Sequence, residues 1–428
     1  MLKPSFKLLT RKTSYNYPKF RRRSSLRSTP SVDHDVNLMV KKQRIIPELP
    51  VEILAEILKR LQVKYILRCM LVQKSWYHLI KSPLFLKLHL EYEEFITHKY
   101  LFFENYFDGT FTVRYDDVQC EEYCKFRHLP GLPTRHFWYL TSNGLVCVSR
   151  MFNKGKTCNP IIYLWNPLIQ KYKTLPDSPL RRFIPLGRPT LKKRKWHALA
   201  FGFVPEVSDY VVVHIVKHCM DSVMIGVYSL NADSWKIRRH DDVTILSVRH
   251  DNVVFNNGAA FWLGLNLEGR GTVMCFDTKT DILRVISLPA LANYELGNPV
   301  IHPSGQSIAY FTEVFEDDES EDEESFLDMW VLEDDQMNEE SSWVKKMRVN
   351  FCIDNLWGPV LGVRNNGEPI IVKEYNFVTY DLDNHEANDF VSSWNHWTPF
   401  AYCDMKNNLD RPFNICPYVE SLVLLDTD

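Results

Sequence analysis

Residues 201–238 read FGFVPEVSDYVVVHIVKHCMDSVMIGVYSLNADSWKIR, and the fold class turns on this stretch. The apolar run from Tyr210 to Val216 shows no 3.6-residue period, so it reads as a strand and not a helix. A second apolar run ends in the aromatic Tyr228. The polar pair Asn231-Ala232 follows as a turn, and Trp235 to Arg238 makes a short exit strand. The run from Tyr210 falls far short of the roughly 20 apolar residues that a membrane helix needs. It is the longest candidate in the chain.

The same unit recurs on both sides of the quoted stretch. It is present as NGLVCVSR … IIYLWNPLIQKYKTLP from Asn143 and as VVFNNGAAFWLGLN … TVMCFDTKTDILRVISLP from Val253. Looser versions start at Ser307 (SIAYFTEVF … DMWVLEDD … SSWVKKMRV) and at Gly358 (GPVLGVRNNGEPIIVK … FVTYDLDNHEANDFV). The turns Asn166-Pro167, Asn231-Ala232, Asp277-Thr278 and Asp383-Asn384 hold equivalent places. Asn and Asp bond to their own backbone there, and Pro fixes φ. Repeats of roughly 45 to 65 residues carrying about four strands each point to β-propeller blades. An irregular β-sandwich with coincidental turn similarity is the competing architecture. Neither a GH…WD pattern nor a Gly-Gly pair is present. A chain of 428 residues is long enough for one such core plus a smaller module.

The smaller module precedes the repeats, in ELPVEILAEILKRLQVKYILRCMLVQKSWYHLI from Glu48 to Ile80. Leu54, Ile57, Leu58 and Leu61 recur at spacings of three and four, one apolar helix face. Glu52 and Glu56 lie early, Lys59 and Arg60 late, as the helix dipole favours. A second helical segment is expected from Lys64 to about Ile80, with Pro83 as a breaker after it. About forty residues of helix make a poor independent core, so part of this apolar surface must find cover elsewhere.

Residues 1–44 are rich in Lys, Arg and Ser and poor in acid. They read as a basic disordered arm, with an organellar transit peptide and a nuclear import patch at KFRRRSSLR as the other readings. Residues 316–325 are a dense acidic run, expected to be a disordered loop inside the β domain. The overall net charge of −2 gives no field toward nucleic acid or an anionic membrane. The basic RPTLKKRKWH at Arg188 reads as an exposed loop. Ten scattered cysteines fit a reducing compartment. Cys120, Cys124 and His128 form CxxxCxxxH without a second ligand pair, so packing is the expected role and no metal or other cofactor is expected. No P-loop, GxGxxG after a strand, HExxH or GxSxG motif is present, and no catalytic residue is assigned.

The order of modules resembles the large plant family in which an F-box is joined to a C-terminal F-box-associated, kelch-related domain. The resemblance is close at Leu49-Pro50, Glu52-Ile53-Leu54, Ile57-Leu58, Leu61, Val63-Lys64, Leu67-Arg68, Val72, Lys74-Ser75-Trp76, Leu79-Ile80 and Ser82-Pro83. NGLVCV, LWNP, GVYSLNADSWKIR, NGAAFWL and the closing PYVESLV at Pro417 resemble the associated domain. Gln62 stands where the family has Pro. The fold expected is mainly β with a small α module: a helical F-box at 45–92, then a β-propeller-like domain of about six blades at 97–426.

The resemblance implies a non-catalytic substrate receptor of an SCF-type ubiquitin ligase. The F-box would dock a Skp-family adaptor, and through it a cullin–RING ligase, while the β domain holds a target protein. Leu49 and Pro50 would begin the adaptor contact. Ile53, Leu54, Ile57, Leu58, Leu61, Val63 and Trp76 are the apolar positions expected to share it, with about half of them expected to form the module's own core. The alternative is a non-degradative propeller scaffold with a drifted F-box. No membrane or nucleic-acid partner is expected, and the expected location is nucleus or cytoplasm.

Overall fold

The structure is a computed structural model that describes residues 49–96, 99–105, 110–127, 137–154, 157–183, 196–217, 222–289, 299–316, 324–333, 342–351, 357–373, 376–384, 386–391 and 413–424. The basic arm, His128, residues 188–195 of the basic loop and most of the acidic run lie outside these residues. Among the described residues four helices come first: α1 (Val51–Leu58), α2 (Val63–Cys69), α3 (Lys74–Ile80) and α4 (Pro83–Ile96). No described helix is long and apolar enough to cross a membrane.

Among the described residues the β domain is a closed ring of six four-stranded blades. Blade 2 is β4 (Phe137–Ser142), β5 (Leu145–Lys154), β6 (Thr157–Asn166) and β7 (Lys171–Thr174). Blade 3 is β8 (Trp196–Val204), β9 (Asp209–Lys217), β10 (Ser222–Ser229) and β11 (Ser234–Asp241). Blade 4 is β12 (Ile245–Asn256), β13 (Ala259–Asn266), β14 (Gly271–Asp277) and β15 (Ile282–Ser287). Blade 5 is β16 (Val300–Ser304), β17 (Ser307–Glu316), β18 (Glu324–Glu333) and β19 (Ser342–Phe351). Blade 6 is β20 (Trp357–Val363), β21 (Pro369–Lys373), β22 (Asn376–Asp381) and β23 (Glu386–Val391). Blade 1 joins the two ends of the domain. β24 (Phe413–Tyr418) pairs antiparallel with β1 (Tyr100–Asn105), which continues to β2 (Thr110–Tyr115) and β3 (Glu122–Arg127).

Burial decides between propeller and sandwich. A sandwich has one core between two sheets, whereas this domain has a separate apolar cluster at each blade interface. Among the described residues, Phe111 meets Trp165 between blades 1 and 2. Leu164 and Val212 share the cluster of blades 2 and 3, and Val213 and Trp262 that of blades 3 and 4. Leu263 and Tyr310 follow between blades 4 and 5, then Phe311 and Ile371 between blades 5 and 6. Phe103 and Ile370 close the ring between blades 6 and 1.

Local chemistry explains the repeats. The Asn143-Gly144 and Asn257-Gly258 pairs carry positive φ at both residues, the mirror-image turn that suits two-residue hairpins. At the third turn of blades 2 and 4, Asn166 and Asp277 accept backbone N–H groups two residues on, at 3.1 and 2.7 Å. In blade 6 the acceptor is Asp381, just before the expected Asp383-Asn384 pair. The recurring SW and LP phrases form a latch between neighbours: Trp235 donates to the Pro176 carbonyl at 2.9 Å, and Trp343 to that of Ser287 at 2.8 Å.

Ring closure depends on a close approach. β20 and β24 touch through a single parallel bridge, Gly362 to Ile415. A Cβ at Gly362 would sit 2.0 Å from the Ile415 carbonyl oxygen, and backbone cannot yield as a flexible side chain does. Gly362→Ala is therefore expected to destabilise the chain by about 2 kcal/mol or more, read as a lower urea midpoint.

The helical module differs from expectation in two places. The segment from Lys64 to Ile80 is two helices, parted at Met70–Gln73, where Gln73 is extended. The break lets Ile66 and Ile80 reach one core. Pro83 does not only end a helix; it begins α4. The Ser82 hydroxyl caps the new helix by accepting the Phe85 N–H at 3.2 Å, and Pro fits the first helical position, where its missing N–H costs nothing. α4 runs to Ile96.

Candidate functional site

α1 carries two apolar stripes with different fates. Leu54 and Leu58, four residues apart, turn inward and are 8% and 1% exposed. They pack with Val63, Ile66, Ile80 and Phe85, and Leu61 and Trp76 border this cluster half-buried. Ile53 and Ile57, also four apart, turn outward and are 48% and 47% exposed. Leu49, Pro50 and Val51, at the start of α1, are exposed as well. Glu52, Ile53, Glu56, Ile57, Arg60 and Leu61 line a shallow open groove there. Its rim is charged: Glu56 meets Lys59 at 2.7 Å and Arg60 at 3.9 Å.

The structure thus divides the nine expected contact positions. Leu49, Pro50, Ile53 and Ile57 face outward, Leu61 and Trp76 sit at the edge, and Leu54, Leu58 and Val63 belong to the inner core. Those three support the outer face by holding α1 rigid. Sequence reading missed Leu71 (86% exposed), Val72 (64%) and Leu84 (78%) as outward-facing apolar residues. Their signal is the placement of the α2–α3 break and the start of α4, which periodicity did not give.

The cover that the module needs comes from its own chain. Leu422, from the segment after β24, lies in the module's core, and Leu168 and Ile169 of blade 2 pack against it. Glu420 is 1% exposed, and one carboxylate joins two bodies. Its Oε2 accepts the Val63 N–H at the start of α2 at 2.7 Å, and its Oε1 accepts the Tyr123 hydroxyl of blade 1 at 2.6 Å. Burial pushes the Glu420 carboxyl above the usual carboxylate range; those hydrogen bonds, with Lys64 and Lys99 nearby, pull the other way. Tyr100 stacks on Tyr123 at 4.9 Å between ring centroids beside this junction.

Gln62 sits at the joint between α1 and α2 with φ −57°, inside the range that Pro enforces. Its side chain donates to the Tyr100 hydroxyl at 3.3 Å. Gln62→Pro is expected to fit, with the lower entropy of the unfolded chain offsetting that long hydrogen bond. The expected change in unfolding free energy is within about 1 kcal/mol of zero, measured by urea titration.

No cluster of three metal-ligating side chains occurs among the described residues. Burial pushes the thiols of Cys120 and Cys124 up to about 12.

Comparison with known proteins agrees with this layout. The F-box domain matches residues 46–88. The F-box associated beta propeller domain matches residues 105–388. An F-box protein of Arabidopsis thaliana is 26% identical over 252 residues, 56% of this chain and 64% of its own length. The match therefore spans somewhat under two thirds of that relative. A second Arabidopsis F-box protein is 24% identical over 391 residues, covering 85% of this chain and 81% of its own. The β-propeller domain of a trilobed protease from Pyrococcus furiosus has 11% identity and a TM-score of 0.33, covering 60% of this chain and 85% of its own. Likeness at that level adds nothing to the fold already described. The chain belongs to the F-box proteins in which the F-box is followed by an F-box associated β-propeller domain.

Proposed function

We propose that the chain is the substrate-recognition subunit of an SCF-type ubiquitin ligase, a receptor with no catalytic step of its own. The observation that carries this reading is the outward pair Ile53 and Ile57, with Leu49 and Val51 exposed at the start of the helix, on a module whose inner stripe is already satisfied. Exposed apolar side chains grouped on one helix face mark an interaction site. A Skp-family adaptor is the partner that the F-box implies, and it brings a cullin–RING assembly with it. At about 25 cal/mol per Å² of apolar area, burying part of a standard interface provides several kcal/mol. The propeller loops then hold a target protein, and ubiquitin transfer gains from the raised effective concentration of the target near the conjugating enzyme. The ten scattered cysteines of the sequence fit a nuclear or cytoplasmic location.

Titration of the purified chain with several Skp-family adaptors tests the reading. Saturable binding that weakens when Leu49 and Pro50 both become Ala supports it. A folded chain that ignores every adaptor tried would overturn it.

A further inference from the structure

We propose that the segment Val419–Leu424 is a clamp that fixes the direction of the F-box module on the propeller, with Glu420 as its positioning residue. The purpose of the clamp rests on the receptor reading, but its geometry does not. The segment leaves β24, the strand that closes the ring against β1. It then crosses the β4–β5 turn so tightly that a Cβ on Gly144 would lie 2.4 Å from the Ser421 Cβ. The Asn166 side-chain amide donates to the Ser421 and Val423 carbonyls at 2.7 and 3.0 Å, holding the segment down on blade 2.

From that anchored backbone, side chains engage separate bodies. Leu422 enters the helical core, whereas Leu424 enters the cluster of blades 2 and 3 beside Leu90 of α4. Glu420 ties the start of α2 to Tyr123 of blade 1. The clamp therefore spans two blades, which resists rotation of the module about either contact alone. Ionised Glu can accept both donors because it has two oxygens. Gln could keep the Val63 N–H and donate its NH2 to the Tyr123 oxygen, which accepts as well as donates, whereas Leu offers neither partner an acceptor. A residue that only fills space would be indifferent to exchange for Leu.

Hydrogen exchange on the full chain provides the test. Glu420→Leu is expected to speed exchange at the Val63 amide and through α1–α4 at least tenfold while blades 3 to 5 keep their protection. Tyr123→Phe removes one donor and leaves both oxygens, and a smaller rise across α1–α4 is expected from it. Should Glu420→Leu unfold the whole chain, Tyr123→Phe decides the matter alone. Unchanged protection of α1–α4 in the variants overturns the clamp. An adaptor titration on the same samples separates the two proposals: a chain that binds no adaptor yet shows these exchange changes keeps the clamp and loses the receptor reading.

Discussion

The double variant Ile53→Glu/Ile57→Lys is expected to lose adaptor affinity by at least about a hundredfold while keeping its unfolding midpoint within about 2 °C. Both side chains lie half-exposed on the outer stripe of α1, so little folding energy is at stake there; surface changes of this kind stay near ±0.5 kcal/mol. The exchange also suits the helix. Glu at position 53 lies in the first turn and Lys at 57 near the last residue of α1, which complements the dipole and makes a favourable pair four residues apart. Against an apolar partner surface the same groups are a liability, since each buried charge without a partner costs several kcal/mol. About 1.4 kcal/mol corresponds to a tenfold change, so two such losses exceed a hundredfold. Leu58→Ala is the contrasting control. It should destabilise the module by about 2–5 kcal/mol through a core cavity and weaken binding only through that loss. Calorimetric titration beside thermal melts separates the two, and equal adaptor binding by the double variant would remove the outer stripe from the interface.

Much of the propeller was legible because its signals are local. Asn143-Gly144 and Asn257-Gly258 specify their hairpins within a few residues, and Asn166, Asp277 and Asp381 cap turns with their own side chains. Tyr210–Val216 read as a strand, and all of β9 is buried. The closure of the ring was not legible, because β24 meets β1 across the whole domain and no local residue encodes that pairing. The same limit applies to the site. Leu54, Ile57 and Leu58 share one helical period, yet Ile57 faces solvent. Which side of α1 turns inward is set by Leu422 and by blade 2, hundreds of residues later. PYVESLV was legible only as a phrase of the family; that its carboxylate joins α2 to blade 1 needs the folded chain. Ser82-Pro83 held the signal for a helix start as well as a stop, and only the stop was read.

Acid should loosen the chain between pH 6.5 and about 4, and two histidines drive it. Burial holds His89 of α4 near a pKa of about 4 and His214 of β9 near about 3. Both are fully buried, and the His214 Nδ1 is engaged by the Ser178 hydroxyl at 2.7 Å. Their folded pKa values lie below the ordinary 6.5, so above that pH both states are neutral and nothing is lost. As pH falls from 6.5, the unfolded chain takes up protons that the folded chain refuses, and stability drops by about 1.4 kcal/mol per unit for each histidine. At pH 5 the pair accounts for a loss of about 4 kcal/mol. Glu420 works in the opposite sense. Its raised folded pKa means that stability is highest below the unfolded value and declines as pH rises through the folded one, so acid relieves part of its burial. Urea midpoints at pH 7 and pH 5 check the sum, and His89→Leu isolates the module's share. That variant should lose about 1.4 kcal/mol per pH unit of the slope whatever its stability at pH 7; an unaltered slope would mean that His89 is protonated in the fold. Because His89 lies in the helix that carries Leu90 against blade 2, its protonation strikes the module before the ring, and adaptor binding should fall with pH ahead of the loss of β-sheet signal.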